Sequence, residues 1–390
     1  YRTGDLALFD RYSIEWVKES AAPVDFINGF IEVYGDPLAY KASWESVVQI
    51  MDEEACKRTR KLADNALWFE RNAPIDERFK KSEVVGIIAR VVQAAMLGGD
   101  CHPATPIGIN LPNAEWIRER YGSKSVTLDN ITYAYNQTSL TSGVLDEFAY
   151  SEEEKELVRK YGYLGGNVHT DLHECLGHGS GKMLPGVGQE ALKNYYSTIE
   201  ETRADLFALY YVMDPKLVEL GVIPSLDVAK SEYCNYIRNG LMVQLTRVKL
   251  GNNLEESHMR NRQLIASWVY EKGKASNVIE RVVRDGKTYF TIRDYDALRQ
   301  LFGKLLAEIQ RVKSEGDFEG ARNLIEGYGV RIDPVLHQEV LERYRKLNVA
   351  PYAGFVNPEY KLVEKEGNIT DVEITYPTDF LAQMLEYGNM

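Results

Sequence analysis

The chain has 390 residues, 44% of them hydrophobic, which is enough for a large core and for two or more structural units. Its formal net charge of −12 at pH 7 argues against a nucleic-acid-binding protein, because contacts to phosphates need clustered Lys and Arg. The cysteines lie far apart without a C-x-x-C pair, which predicts reduced, buried thiols rather than a disulfide framework. They are Cys56, Cys101, Cys175 and Cys234.

The start of the chain carries no recognisable targeting segment. It opens without Met on "YRTGDLALFDRY", which resembles folded sequence, so we expect a piece of a longer protein. The most apolar run, Val84–Gly99, is too short for a transmembrane helix and contains Arg90 and Gln93. We predict that it forms a core helix.

Helical periodicity dominates the rest of the chain. Ser43–Asn72 has apolar residues at helical spacing between charged ones and predicts a long helix. Ser151 with Glu154 three residues later is a capping-box pattern and predicts a helix start. Further helices are predicted at about 189–213, 226–249, 254–274, 295–315, 317–326 and 333–347.

Strand signals are local. The segment 99–113 is too rich in Pro and Gly for a helix, and Val126–Asn136 has the β-branched and aromatic residues of a strand. Asp285-Gly286 predicts the turn of one hairpin, and a second hairpin over 360–377 should turn near Gly367-Asn368. The sequence therefore predicts an α+β, mostly helical fold.

The motif with the clearest chemistry is "HECLGH" at residues 173–178, a zinc-protease H-E-x-x-H lengthened by one residue. Residues five apart on a regular helix lie about 140° apart, so His173 and His178 could not both reach one ion. A π-bulge absorbs one extra residue, and Gly177 supplies backbone freedom for it. We therefore predict a helix widened at Cys175–Gly177, with Cys175 packed into the core.

A catalytic zinc site needs a third protein ligand and a base. Glu174 adjoins the first histidine and has the place of the general base in the standard motif. Glu200 and Glu201 follow on an amphipathic helix, where neighbours differ by about 100°, so one can bind the metal while the other supports a ligand histidine. Asp205, on the same face as Glu201, is another candidate support. The alternative is a chance motif beside a solvated acidic face.

The sequence "HECLGH" followed by "EETRAD" resembles the paired signatures of the dipeptidyl peptidase III family, H-E-x-x-G-H and E-E-C-R-A-E/D. "GFIEVYGDP", "INLPN" and "HMRNR" also resemble segments of that family in the same order, so the likeness covers most of the chain. Thr202 replaces the usual Cys at a position that is not a ligand. We also expect that the N-terminal β-rich part of the family is absent.

The resemblance implies the roles of the two signatures. The residues that would bind one Zn²⁺ per chain are His173, His178 and Glu201. Glu174 would be the base, and Glu200 and Asp205 would support the ligand histidines. His258 matches a histidine that stabilises the charged transition state, although by itself it would be an ordinary helix histidine. Arg262, four residues later, matches a substrate-binding arginine.

The resemblance also implies a site for the free N-terminus of a peptide. The matching residues are Glu32, Tyr34, Asn110 and Asn113. A carboxylate pairs with an α-ammonium group, and amide and phenol groups add directed hydrogen bonds. Gly108 would lie in an edge strand to which a peptide adds as a further strand. The alternative is that "NLPN" is a turn and Tyr34 a core residue.

The fold implied by the resemblance has two lobes around a peptide-binding cleft. The helical zinc lobe would comprise 56–91 and 138–355, and the β-containing lobe 1–55, 92–137 and 356–390. The expected activity is a zinc-dependent exopeptidase that releases dipeptides from short peptides in the cytoplasm, with no nucleic-acid or membrane partner. A single-residue aminopeptidase, a small-peptide endopeptidase and a peptide-binding module without turnover remain alternatives.

Overall fold

The computed structural model describes residues 3, 5–19, 22–30, 44–84, 88–101, 106–349 and 356–389. The fold is α+β and mostly helical, as the sequence predicts. The chain divides into two compact units. One comprises Tyr1–Lys57, Ile88–Thr138 and Ala350–Met390, and the other comprises Arg58–Ile87 and Ser139–Val349.

The helices and strands are numbered in chain order. The α-helices are α1 (Leu6–Lys18), α2 (Glu53–Asp64), α3 (Ala66–Asn72), α4 (Glu115–Tyr121), α5 (Asp129–Thr141), α6 (Val144–Phe148), α7 (Glu152–Leu172), α8 (Tyr196–Val212), α9 (Pro215–Glu219), α10 (Asp227–Leu241), α11 (Ser257–Gly273), α12 (Tyr295–Glu315), α13 (Phe318–Leu324), α14 (Pro334–Lys346) and α15 (Phe380–Tyr387). The strands are β1 (Val24–Phe30), β2 (Trp44–Met51), β3 (Ile88–Gly99), β4 (Gly108–Leu111), β5 (Lys124–Leu128), β6 (Ile279–Arg284), β7 (Lys287–Ile292), β8 (Glu359–Lys365) and β9 (Asn368–Thr375). Short 3-10 segments occur at Glu77–Phe79, Gln189–Tyr195, Val243–Arg247 and Lys274–Ser276, and π-helical turns at His173–Gly177 and Ile325–Gly329.

The first unit is built on a five-stranded sheet of order β1-β2-β3-β5-β4. Adjacent strands in this sheet are antiparallel, except for β3 and β5, which are parallel. One face of the sheet buries Val47, Val92 and Val126 against Trp16 and Val17 of α1. Strand β4 lies at one edge, so one side of its backbone is not paired within the sheet.

The predictions for residues 43–136 need correction at three places. Ser43–Asn72 is helical only from Glu53 onward, since Trp44–Met51 forms β2. The core helix predicted over Val84–Gly99 is instead β3 from Ile88. Both segments pair with neighbours that are distant in sequence, and that pairing overrides helical spacing. The strand predicted over Val126–Asn136 ends at Leu128, where α5 begins.

The second unit is largely helical and confirms most helices predicted between residues 151 and 347. Two predicted ranges need correction: 189–213 is α-helical only from Tyr196, after a 3-10 segment, and 226–249 ends as an α-helix at Leu241, before the 3-10 segment Val243–Arg247. The Glu154 N–H donates to Ser151 Oγ at 3.2 Å, so Ser151 caps α7 as predicted. The predicted hairpin is β6–β7, and Asp285 and Gly286 at its turn have φ of 52° and 73°, the left-handed values of a type I′ turn. In the first unit, β8–β9 confirms the second predicted hairpin.

Two further observations concern the whole described chain. All four cysteines are buried thiols, as predicted. Among the described residues, no helix is both long enough and apolar enough to cross a membrane.

Candidate metal centre

The two histidines of the lengthened motif lie on a π-helical turn. Helix α7 continues past Leu172 into His173–Gly177, and the His178 N–H donates to the His173 carbonyl at 3.1 Å. This bond between residues five apart absorbs the extra residue and confirms the predicted widening. The imidazole centroids of His173 and His178 lie 4.7 Å apart, so the two rings face one site. Cys175 is buried, as predicted.

The role of Gly177 differs from the predicted one. A Cβ at this position would lie 2.9 Å from Ala204 Cα and 3.0 Å from Ala204 Cβ, closer than real Cβ contacts allow. The π-helical turn therefore packs directly on the backbone of α8. Glycine is required here for close approach of two elements, and this contact brings the histidines to the carboxylates of α8.

Replacing Gly177 by alanine should lower the free energy of unfolding by about 1–3 kcal/mol, because the added methyl overpacks the contact with Ala204. Urea unfolding of the metal-free chain measures this change. Gly166→Ala is the matched control, since a Cβ there meets nothing within 4 Å. Equal stability of the two variants would contradict the packing role of Gly177.

Three ligand-type atoms converge at this site. His173, His178 and Glu201 each offer one atom, and these atoms all lie within 4.8 Å of one another. Glu201 Oε2 lies 3.3 Å from His173 Nε2, yet it is buried and accepts no hydrogen bond among the described residues. Two imidazoles and a carboxylate are a common ligand set of catalytic zinc. The orphaned carboxylate oxygen and this donor set fit a divalent cation.

Two carboxylates contact the imidazoles of His173 and His178 at Nδ1, the ring nitrogen opposite Nε2. His173 Nδ1 donates to Asp205 Oδ1 at 2.7 Å, and His178 Nδ1 donates to Glu200 Oε1 at 3.0 Å. With the proton fixed on Nδ1, each Nε2 presents a lone pair to a metal. The structure thus separates the adjacent carboxylates of α8, with Glu201 in the ligand cluster and Glu200 behind His178.

A buried network continues from Asp205. The Tyr236 hydroxyl donates to Asp205 Oδ2 at 2.7 Å, and His169 Nε2 donates to Oδ1 at 3.1 Å. His169 Nδ1 lies 3.0 Å from Glu232 Oε1. No role is predicted from the sequence for Tyr236, His169 or Glu232. The one available signal was the position of His169 four residues before His173, on the same helical face.

A second group of ligand-type atoms, His169, His173 and Asp205, also lies within 4.8 Å. It would use the opposite ring nitrogen of His173, Nδ1, which already donates to Asp205. Both oxygens of Asp205 also accept hydrogen bonds, from the His169 ring and the Tyr236 hydroxyl. Of the two groups, the cluster of His173, His178 and Glu201 therefore has the donor atoms that better fit a metal ion.

The supporting carboxylates remain ionised in spite of burial. Burial raises the pKa of Glu200, but the charges of Arg203 and Lys313 outweigh it and hold this pKa well below its usual range. Burial likewise opposes ionisation of Asp205, and hydrogen bonds from His169 and His173 lower its pKa well below the usual value. Both groups are therefore strong acceptors for the ligand rings.

Positive charge surrounds Glu200. Arg203 Nη2 donates to Glu200 Oε1 at 2.7 Å, and Lys313 donates to the other oxygen. Burial and the neighbouring Arg203 lower the pKa of Lys313 to about 8. Glu200 is thus held by two cations while it accepts from His178, which fixes its position.

The remaining predicted residues of this unit lie on two elements. Glu174 is half-buried in the π-helical turn beside His173. His258 is in the first turn of α11, and its Nδ1 lies 3.5 Å from Glu201 Oε2. Arg262, one turn later, donates from Nη1 to Gln244 Oε1 at 3.3 Å. The start of α11 therefore reaches the ligand cluster.

The residues predicted for the peptide N-terminus belong to the other unit or lie outside the described residues. Glu32 and Tyr34 are outside the described part of the chain. Gly108 and Asn110 lie on the edge strand β4, and Asn113 follows it. The Asn110 Oδ1 atom is buried and has no hydrogen-bond partner within the described residues.

Comparisons with known proteins point to one family. The sequence model described as peptidase family M49 matches residues 1–192 and 188–369. Dipeptidyl peptidase 3 of Mus musculus is 27% identical over 418 residues, which cover 94% of this chain and 55% of the relative. The Homo sapiens protein of the same name is 26% identical with the same coverage. The chain thus spans about half the length of the curated relatives it matches.

A solved structure has the same fold. The structure of dipeptidyl peptidase III from Caldithrix abyssi superposes with a TM-score of 0.72 at 25% identity. The match covers 87% of this chain and 62% of that one.

Proposed function

Because the chain belongs to peptidase family M49, the dipeptidyl peptidase III family, we propose that it is a zinc-dependent exopeptidase that releases dipeptides from the N-terminus of short peptides. The observation that carries this proposal is the convergence of His173, His178 and Glu201, whose ligand atoms lie within 4.8 Å of one another. A π-helical turn and a close helix contact build this cluster, which indicates a formed site rather than a chance motif.

His173, His178 and Glu201 would hold the zinc ion. A bound zinc ion supplies a Lewis acid for a peptide carbonyl and lowers the pKa of water. Asp205 and Glu200 keep the protons of the two imidazoles on Nδ1 and prevent the rings from turning. Within the described residues, Glu201 Oε2 accepts no hydrogen bond, which suits a ligand.

Glu174 would act as general base and then as general acid. Its carboxylate follows His173 directly in the π-helical turn. In this role it takes a proton from the attacking water and delivers it to the nitrogen of the leaving amine. His258, whose ring reaches the ligand Glu201, would stabilise the negative charge that develops on the carbonyl oxygen.

Peptide recognition would use the residues that match the family's substrate-binding positions. Glu32, Tyr34, Asn110 and Asn113 would bind the free α-ammonium group. Asn110 Oδ1, which has no hydrogen-bond partner in the described part of the chain, offers an acceptor for it. The edge strand β4, which begins at Gly108, would pair with the peptide backbone. Arg262 would donate to peptide carbonyls. A fixed N-terminus determines which bond is cut.

Mass spectrometry of the products tests this proposal. The zinc-loaded chain should convert an unblocked pentapeptide into its N-terminal dipeptide and a tripeptide. The N-acetylated form of the same peptide is the matched control and should stay intact, because it lacks the α-ammonium group. Release of the N-terminal residue alone, or a first cut at any bond other than the second, would contradict the predicted N-terminal site but keep the zinc chemistry. Absence of cleavage with zinc bound would instead favour a peptide-binding module.

A further inference from the structure

Helices α10 and α11 approach each other closely at one point. A Cβ at Gly240 would lie 2.7 Å from the Arg262 carbonyl oxygen and 2.7 Å from Ala266 Cβ. Glycine at 240 therefore lets the end of α10 lie directly on the backbone of α11. The chain then turns through the 3-10 segment Val243–Arg247, which places Gln244 beside the first turns of α11.

The amide of Gln244 has a fixed orientation. This side chain is only 2% exposed, and its Nε2 donates to the Gly240 carbonyl at 3.1 Å and to the Met259 carbonyl at 3.2 Å. A flipped amide would place its oxygen against two carbonyl oxygens, which can only accept. Oε1 is consequently the atom that faces Arg262, and it accepts from Nη1 at 3.3 Å.

This bond is the one hydrogen bond of the Arg262 guanidinium in the part of the chain that the structure describes. The side chain is half-buried, and a guanidinium carries five N–H donors. One donor is used by Gln244, and the others remain for a ligand. An arginine without such a contact loses more side-chain freedom when it binds, which weakens binding.

We propose that Gln244 is a positioning residue that holds the Arg262 guanidinium in the orientation in which it binds the peptide backbone. The inference rests on the substrate-binding role of Arg262 within the proposed function. Gln244 itself does not contact the peptide. Its Nε2 donates to backbone carbonyls of α10 and α11, which fixes the amide, and the fixed Oε1 restricts the Arg262 side chain.

A double-mutant cycle tests the inference. Gln244→Met removes the amide at similar length and should raise KM for the pentapeptide about three- to tenfold, with kcat and zinc affinity nearly unchanged. Arg262→Met should raise KM at least as much. In the Arg262→Met background, the Gln244 substitution should have no further effect on KM, because Gln244 acts through Arg262.

Gln263→Met is the matched control. Gln263 is 6% exposed, and its Nε2 donates to the carbonyls of Tyr328 and Arg331 at 3.4 and 2.8 Å. Its substitution therefore removes the same kind of bonds, from a buried amide to two backbone carbonyls, and should lower thermal stability comparably while KM stays unchanged. A KM effect of Gln263→Met equal to that of Gln244→Met, or additive effects of Gln244→Met and Arg262→Met, would overturn the inference.

The cycle separates this inference from the proposed function. If Arg262→Met leaves KM unchanged, the assigned role of Arg262 is wrong, and the inference falls with it. If Arg262→Met raises KM but Gln244→Met does not, only the inference is wrong. Should the chain bind the pentapeptide without cleaving it, calorimetric Kd values replace KM in the same cycle, with the same expected fold-changes.

Discussion

Glu174→Gln should lower kcat for pentapeptide cleavage by about 100- to 10,000-fold, the usual contribution of a general base, while zinc affinity stays unchanged. The amide cannot accept the proton of the attacking water, but it has nearly the size of the carboxylate. Glu174 is not in the cluster of ligand atoms, which consists of His173, His178 and Glu201. Metal content by mass spectrometry and steady-state kinetics on the same sample measure both quantities.

Glu156→Gln provides a control on the same helix. Glu156 lies on the exposed face of α7, so its substitution changes the net charge equally and should leave both kcat and metal content unchanged. Full activity of Glu174→Gln would contradict the role of Glu174 as general base. Loss of zinc together with activity would instead give Glu174 a structural role at the metal.

Glu201→Ala should weaken zinc binding strongly, because under the proposed function it would remove one of three protein ligands. The loss should exceed the roughly 10- to 100-fold typical of residues that support a ligand from outside the metal sphere. Competition with a chromophoric chelator measures the zinc affinity. We expect the variant to fold, because the alanine itself creates no unpaired buried charge. Thermal unfolding of the metal-free protein checks this.

Asp205→Asn is the informative comparison for Glu201→Ala. Asp205 Oδ1 lies 2.7 Å from His173 Nδ1, and Asp205 is outside the cluster of His173, His178 and Glu201. Asp205→Asn should therefore lower zinc affinity by only about 10- to 100-fold. Unchanged zinc affinity in Glu201→Ala would refute its role as ligand. A larger loss in Asp205→Asn than in Glu201→Ala would favour the second cluster, in which His169 and Asp205 take part.

Local sequence signals predicted those structural features whose cause lies within a few adjacent residues. The spacing of His173 and His178 predicts the π-helical turn, because one extra residue in a helix must be absorbed within the next turn. Ser151 predicts the start of α7, and Asp285-Gly286 predicts the hairpin turn, since caps and turns depend on a few adjacent residues.

Tertiary contacts decided the rest. Ile88–Gly99 has a composition that suits a helix or a strand, and pairing with both β2 and β5 makes it a strand. Spacing left open which of Glu200 and Glu201 meets the metal, and the rotation of α8 against the π-helical turn places Glu201 in the ligand cluster.

The sequence by itself determined the candidate ligand types, the widened helix and most helix boundaries of the second unit, because these follow from spacing along one segment. Only the tertiary structure showed that Gly177 serves a contact with Ala204, that His169 and Tyr236 hydrogen-bond to Asp205, and that Gln244 accepts from Arg262. Each of these depends on the distance between two segments that are far apart in the chain. Such distances result from packing of the whole core, which no local pattern encodes.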